Sequence, residues 1–317
     1  MYILFNVDEQ MTELAIGCGG WAYFKVPGLR PLDAYARAFN FVEINSTFYE
    51  IPTLQTVRSW RKRAPPDFEF AVRCHQDVTH KHQMEPAEES FQTMDRMIKI
   101  CQALQSRFLV FQTPSEMRFS PEKTKSIGDF FATVDMKGVK PAWEIRRVAG
   151  EPIPPEVISM MSDNNIIHSV DLSRETPLVE SDTVYTRIFG KGEHTVYQFT
   201  DEELQGIDEK IVGSRSESAA VSFHNVRMYK DAARFKIYKE TGRFSSVTGA
   251  EGQESLRKVL REDAEFPTTK MKLLKDQGWK VIDLTKNRRA HAHALLSKLP
   301  DRQFGSIKEI MESLPKV

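Results

Sequence analysis

What this sequence lacks narrows it first. It has only three cysteines, Cys18, Cys74 and Cys101, odd in number and without CxxC spacing, so a disulfide framework is not expected. Two of them fall in apolar strand-like runs, where a free thiol behaves as a small hydrophobe. No stretch approaches the roughly 20 apolar residues that a membrane helix needs. The opening run Met1-Tyr2-Ile3-Leu4-Phe5 is too short for a signal peptide and has no basic leader. The expectation is a cytoplasmic protein with no membrane partner. Net charge is absent too: 44 basic and 44 acidic residues cancel, so overall charge indicates no partner. There is no HExxH, no GxSxG and no P-loop. Gly17-Cys18-Gly19-Gly20 does not match GxGxxG, and it reads as a turn whose glycines supply positive φ, ahead of a phosphate-binding loop.

What is present is a globular composition, 28% charged and 40% hydrophobic, in 317 residues. That is enough for one large domain or two ordinary ones. Short apolar runs alternate with helical stretches. The runs are 14–17, 41–45, 68–73, 108–112, 140–144, 166–171, 183–188 and 219–224. Between them, 32–39, 54–63, 88–104, 122–134, 154–163, 201–212 and 230–241 read as helices; Phe91, Met94, Met97, Ile98, Cys101 and Leu104 fall near helical spacing. Alternating strands and helices mean βαβ units and a parallel sheet. Eight such strands in about 230 residues fit a (β/α)8 TIM-type barrel of the α/β class; a doubly wound open sheet is the runner-up. The predicted organisation is an extension over 1–13, a barrel over 14–244, a polar linker over 245–256 and a basic all-helical module over 257–317.

In such a barrel, catalytic residues sit where the strands end. Polar residues accumulate there. Glu43, Glu144 and Asp171 are the catalytic candidates, suited to general acid–base work. Asn45, Tyr49, Arg73, His75, Gln112, Arg146, Arg187 and Asn225 are candidates for substrate or phosphate binding, since a guanidinium offers an anion a bidentate fork. His75, Glu144, Asp171 and His224 could hold a divalent metal such as zinc, manganese or magnesium. The structural alternative is an internal ring of salt bridges, for example Glu43 or Glu144 with Arg73 or Arg187, because a lone charge inside a barrel is costly.

At these same residues the sequence resembles the YecE-like family, also called domain of unknown function 72. The resemblance is carried by Ile16-Gly17-Cys18-Gly19-Gly20-Trp21-Ala22-Tyr23 and by Val42-Glu43-Ile44-Asn45-Ser46-Thr47-Phe48-Tyr49. Phe70-Ala71-Val72-Arg73 with Thr79-His80, Trp143-Glu144-Ile145-Arg146, Tyr185-Thr186-Arg187 and Phe223-His224-Asn225 extend it. It implies a TIM-type barrel, related at fold level to sugar isomerases and to endonuclease-four-type repair enzymes. The chain departs from the family pattern at Arg147 and Phe189, where the family usually has His. Two imidazoles of a His-rich zinc site are thereby missing, and His224, where the family often has Asn, offers one in return.

From Arg257 to Val317 there are 14 Lys and Arg against 8 Asp and Glu. The stretch resembles a small prokaryotic helical domain of unknown function. Phe266-Pro267-Thr268-Thr269-Lys270 resembles a capped helix start, with Pro at an early position and Thr as the candidate cap; 290–299 and 307–314 read as helices, and Trp279 reads as part of a small core. Lys270, Lys272, Lys286, Arg288 and Arg289 are the candidates for contact with DNA or RNA. Three functions stay open: a metal-assisted hydrolase of a phosphate-containing substrate such as nucleic acid, a sugar-phosphate isomerase or epimerase, and a non-catalytic binding or adaptor protein.

Overall fold

The computed structural model describes residues 13–148 and 150–315. Of the expected N-terminal extension only Glu13 falls inside that range. The chain divides into two compact units. The first runs up to Ile188 and resumes over Lys210–Phe223; the second holds Phe189–Glu209 and the chain from His224 onward.

The first unit carries eight parallel strands: β1 Glu13–Cys18, β2 Phe41–Ile44, β3 Glu69–Arg73, β4 Phe108–Thr113, β5 Lys140–Ile145, β6 Ile167–His168, β7 Thr183–Ile188 and β8 Ser218–Phe223. Their order is β6-β5-β4-β3-β2-β1-β8-β7. A single parallel bridge between Val170 and Thr186 links the two ends, and the Arg187 amide donates to the Val170 carbonyl at 3.2 Å. The barrel is therefore nearly closed, as the alternation predicts. Helices α1 Pro31–Ala38, α2 Leu54–Arg63, α3 Glu88–Leu104, α4 Pro121–Thr133 and α5 Pro155–Asp163 follow the first five strands. The β6–β7 connection, 169–182, contains no helix.

Strand alternation sorts side chains to two faces. One inward layer is Ala15, Phe41, Ala71, Phe108, Val110, Ala142, Ile167, Tyr185 and Ala220. Four alanines leave room for three aromatic rings, and Tyr185 packs 5.2 Å from Phe108 and 6.2 Å from Phe41. At the strand starts, Arg107 ties Glu69 at 2.8 Å and Glu13 at 3.3 Å. One step beyond the apolar layer, toward the strand ends, the inward positions turn polar.

The glycines at the end of β1 and just beyond it serve two purposes. The Tyr35 hydroxyl accepts from the Cys18 amide at 2.7 Å and donates to the Phe41 carbonyl at 2.8 Å. A Cβ on Gly17 would lie 1.8 Å from that carbonyl oxygen, so only glycine fits. Gly20 has φ +118°, the turn conformation expected.

The second unit contains α7 Met228–Thr241, α8 Gly252–Asp263, α9 Lys270–Gln277, α10 His293–Leu296 and α11 Ile307–Ser313; α6 Asp201–Gly213 spans both units. Its core includes Leu256, Leu260, Leu273, Ile282, Leu296, Phe304 and Ile310. Thr269 caps α9, accepting from the Lys272 amide. Three features differ from the sequence reading. The module is not all-helical: β10 Val281–Thr285 and β11 Arg288–His291 form an antiparallel hairpin, and β9 Thr268–Thr269 pairs with β12 Gln303–Phe304. The basic Lys286–Arg289 stretch masks the hairpin's strand pattern. The polar linker is held in place, because the Asp283 carboxylate accepts from Ser246, Val247 and Thr248, and α8 begins inside it. Trp279 lies half-buried with Arg227 5.6 Å from its ring centroid, rather than in the apolar core. No helix among the described residues is long and apolar enough to cross a membrane.

His168 on β6 generates a stability prediction. Its Nδ1 accepts the Leu178 amide at 3.0 Å, and burial first, then Arg147, pushes its pKa down to about 4 from 6.5. The unfolded chain takes a proton between those values and the folded chain does not. Stability is complete above pH 6.5 and falls as pH drops toward 4, by about 3 kcal/mol. His168→Asn is expected to flatten this part of the pH dependence. Urea midpoints for both proteins at pH 7 and 4.5 check it, and parallel losses would refute it.

Candidate functional site

The barrel mouth is organised around Arg187, which is 2% exposed on β7. Its Nη2 lies 2.9 Å from Glu43 Oε1 and its Nε donates to Glu43 Oε2 at 3.1 Å. Nη1 donates to Gln112 Oε1 at 3.2 Å and pairs with Glu144. Nη2 also reaches Asn45 Oδ1 at 3.5 Å. From the apolar layer below, Tyr185 donates its hydroxyl to Glu43 Oε2 at 2.8 Å. Three strands, β2, β4 and β5, thus place their inward residues on the one guanidinium that β7 supplies.

These contacts fix the charge states. Burial alone would lower the pKa of Arg187, but Glu144 and Glu43 outweigh it and hold the guanidinium charged. Burial alone would raise that of Glu144, but Arg187 and Arg146 outweigh it, so Glu144 stays a carboxylate. Arg146 donates to Glu144 at 3.0 Å and is half exposed.

Arg73 differs. Its guanidinium carbon sits 3.9 Å from the Phe48 ring centroid, and its buried Nε has no hydrogen-bond partner. No carboxylate among the described residues pairs with it. Burial first, and then repulsion from Arg187, pushes its pKa down to about 10. Next to it stands His80, edge-on to Phe48 at 4.9 Å, with Nδ1 2.9 Å from the Thr79 hydroxyl. Burial, then Arg73 and Arg146, lower the pKa of His80, which makes it the neutral base among cations.

Sequence reasoning therefore brings together Glu43, Asn45, Arg73, Gln112, Glu144, Arg146 and Arg187. Other candidates are used elsewhere. Asp171 accepts from the Ser173 amide at 2.9 Å and hydroxyl at 2.6 Å, capping its own turn. His75 accepts from the Asp77 amide at 3.2 Å and lies 3.3 Å from its carboxylate. Tyr49 is not used elsewhere: it stands beside Phe48 at the rim of the mouth, 66% exposed. In the second unit, Asn225 donates to Tyr197 O and to Asp231, whose buried carboxyl is pushed up to about 6; the amide is committed there. His224 lies against the Phe189 ring at 5.0 Å. Arg289 is buried between Asp201 and Asp283, which removes it from any nucleic-acid surface. Lys272 pairs with Glu265, while Lys286 and Arg288 are exposed and Lys270 half-buried.

The donor set does not fit a metal. Among the described residues no three His, Cys, Asp or Glu side chains gather to hold one. Glu43 and Glu144 are separated by the guanidinium they share, and Asp171 and His75 serve their own loops. His80, Phe48 and Tyr185 were missed as site residues. Tyr185 was within reach, since it lies two positions before Arg187 on the same inward face.

A cavity of about 850 Å³ lies away from the mouth, between the helix-free β6–β7 connection and α6, lined by residues including Leu172, Val179, Lys210 and Ser214. We place the candidate site at the mouth, because buried charges there demand an explanation and the cavity walls present no such cluster.

The profile described as "Protein of unknown function DUF72" matches residues 15–240, and the chain belongs to this family. It is 35% identical over 68 residues to the UPF0759 protein YecE of Escherichia coli (strain K12), a match spanning 21% of this chain and 25% of that protein. A DUF72 family protein from Thermotoga maritima superposes with TM-score 0.57 at 21% identity, covering 72% of this chain and 99% of the other. A second, from Enterococcus faecalis, gives 0.55 at 16% identity over 72% and 96%. Both likenesses concern the fold.

Glu43→Gln removes one carboxylate from a buried cation and is expected to destabilise the protein by about 3 kcal/mol. Chemical denaturation of the variant measures it. An unchanged midpoint would mean that Glu144 and Gln112 suffice to hold Arg187.

Proposed function

We propose that the barrel mouth binds a small phosphate-bearing ligand without a metal ion, with Arg73 and Arg146 as anchors and His80 as the group able to exchange a proton with it. The supporting observation is Arg73, a half-buried guanidinium with no salt-bridge partner among the described residues, on which Glu43 and Glu144 act only from farther away. Burying a cation without a counter-ion is unfavourable, and a guanidinium matches phosphate oxygens in charge and geometry. Glu43 and Glu144 are engaged by Arg187, so they do not compete for an incoming anion. Their held charge makes Glu144 a weak base; the neutral His80 imidazole suits proton transfer better.

This reading separates the three functions left open by the sequence. A metal-assisted hydrolase finds no ligand set among the described residues. A nucleic-acid role loses support with the burial of Arg289 and the pairing of Lys272. A small phosphorylated metabolite needs only the mouth, as for isomerase-like chemistry or simple binding.

Calorimetry with inorganic phosphate tests the anchor. Arg73→Gln is expected to weaken binding by about tenfold or more, in line with losing one charge-assisted pair, and EDTA is expected to change nothing. Equal affinity for Arg73→Gln would overturn the assignment.

His80 supplies a pH test. A bound anion favours its protonated form, so binding takes up a proton. Affinity for sulfate, whose charge is constant here, is expected to rise as pH falls from 8 to 5.5, and His80→Gln is expected to abolish that rise. A slope that persists in the variant would assign the proton to another group.

A further inference from the structure

On the reading that the mouth takes a phosphate-bearing ligand, we propose that this ligand is a nucleoside monophosphate, its base stacked on Tyr49 and its phosphate held by Arg73 and Arg146. Three side chains meet on one ring, Phe48. The Arg73 guanidinium lies 3.9 Å from its centroid. The His80 ring meets it edge-on at 4.9 Å. The Tyr49 ring meets it at 4.9 Å and 88°. Phe48 itself is buried by these neighbours, whereas Tyr49 is 66% exposed. One phenylalanine thus spaces an exposed aromatic face from a guanidinium that has no salt-bridge partner among the described residues.

The Tyr49 backbone is held. Its amide donates to the Ser46 carbonyl at 3.0 Å, in the short helical turn Ser46–Phe48 that ends β2. A pre-positioned tyrosine loses little conformational freedom when a ligand arrives. Aromatic side chains stack bases of any identity, and guanidinium groups take the phosphate. The neighbouring loop adds aromatic surface: Asn45 Nδ2 donates to Gly19 O at 3.0 Å, tying to this rim the turn that continues into Trp21 and the 81% exposed Tyr23. A sugar phosphate would engage the arginines and leave Tyr49 unused. The ring is what distinguishes the two ligand classes.

The test compares AMP with ribose 5-phosphate by calorimetry on the full chain. Wild-type protein is expected to bind AMP about tenfold more tightly, the effect of one stacked base. Tyr49→Ala is expected to bring AMP down to the ribose 5-phosphate level while leaving ribose 5-phosphate unchanged, and Tyr49→Phe to keep the preference. Because Tyr49 is exposed, its variants are expected to melt with the wild type. Equal affinities in the wild type would overturn the stacking proposal and leave the phosphate reading standing. Binding of neither ligand would overturn both. A Tyr49→Ala protein that still prefers AMP would remove Tyr49 from the assignment.

Discussion

The mouth of this barrel depends on one buried cation. Arg187 is nearly inaccessible, yet it holds Glu43, Glu144 and Gln112, which come from β2, β5 and β4. Taking three charges out of water is costly, and the cost is offset only when every group finds good partners. The bidentate geometry at Glu43 and the tyrosine hydroxyl beneath it meet that condition. Strand-end identity follows. Residues that read as catalytic carboxylates are first of all counter-ions, and what they leave uncompensated, Arg73, becomes the informative group.

The apolar layer below makes this possible. Alanines on β1, β3, β5 and β8 accommodate Phe41, Phe108 and Tyr185, which seal the lumen and raise the effective strength of the charges above by excluding water. Tyr185 belongs to both layers: its ring packs against two phenylalanines and its hydroxyl donates to Glu43. In the second unit a comparable ionic chain runs from Arg234 through Asp201 to Arg289 and Asp283. It ties Phe189–Glu209, the segment that follows β7, to the C-terminal hairpin.

The eight strands were legible because each is a short apolar run bounded by turn residues, and the inward period of two carried the strand-end residues Glu43, Gln112, Glu144 and Arg187 to one place. What sequence could not convey was how those charges pair. Arg73, Arg146 and Arg187 are alike as letters; burial and neighbours alone make the second a rim contact, the third a structural cation and the first a guanidinium packed on Phe48. Asp171 and Asn225 show the same limit. Both sit at strand ends, but local hydrogen bonds commit one to its own turn and the other to Asp231. The C-terminal hairpin escaped because Arg288 and Arg289 break the apolar pattern of a strand, although Arg289 is buried by its two carboxylates.

Electrostatics at the mouth points in one direction. Glu43 and Glu144 face Arg73, Arg146 and Arg187, with a neutral His80 beside them and Glu116 within electrostatic reach of that imidazole. Burial first, and neighbouring guanidinium groups second, depress the pKa values of Arg73 and His80, against the pull of Glu43 and Glu144 on the one and of Glu116 on the other. A divalent cation placed here would add to the repulsion and would have to take carboxylates from Arg187. An anion, as proposed, would relieve it, raise the proton affinity of His80 and pair with an Arg73 that makes no salt bridge among the described residues. Under the proposed function, the same side chains that a motif-based reading assigns to a metal serve, once folded, to receive a phosphate.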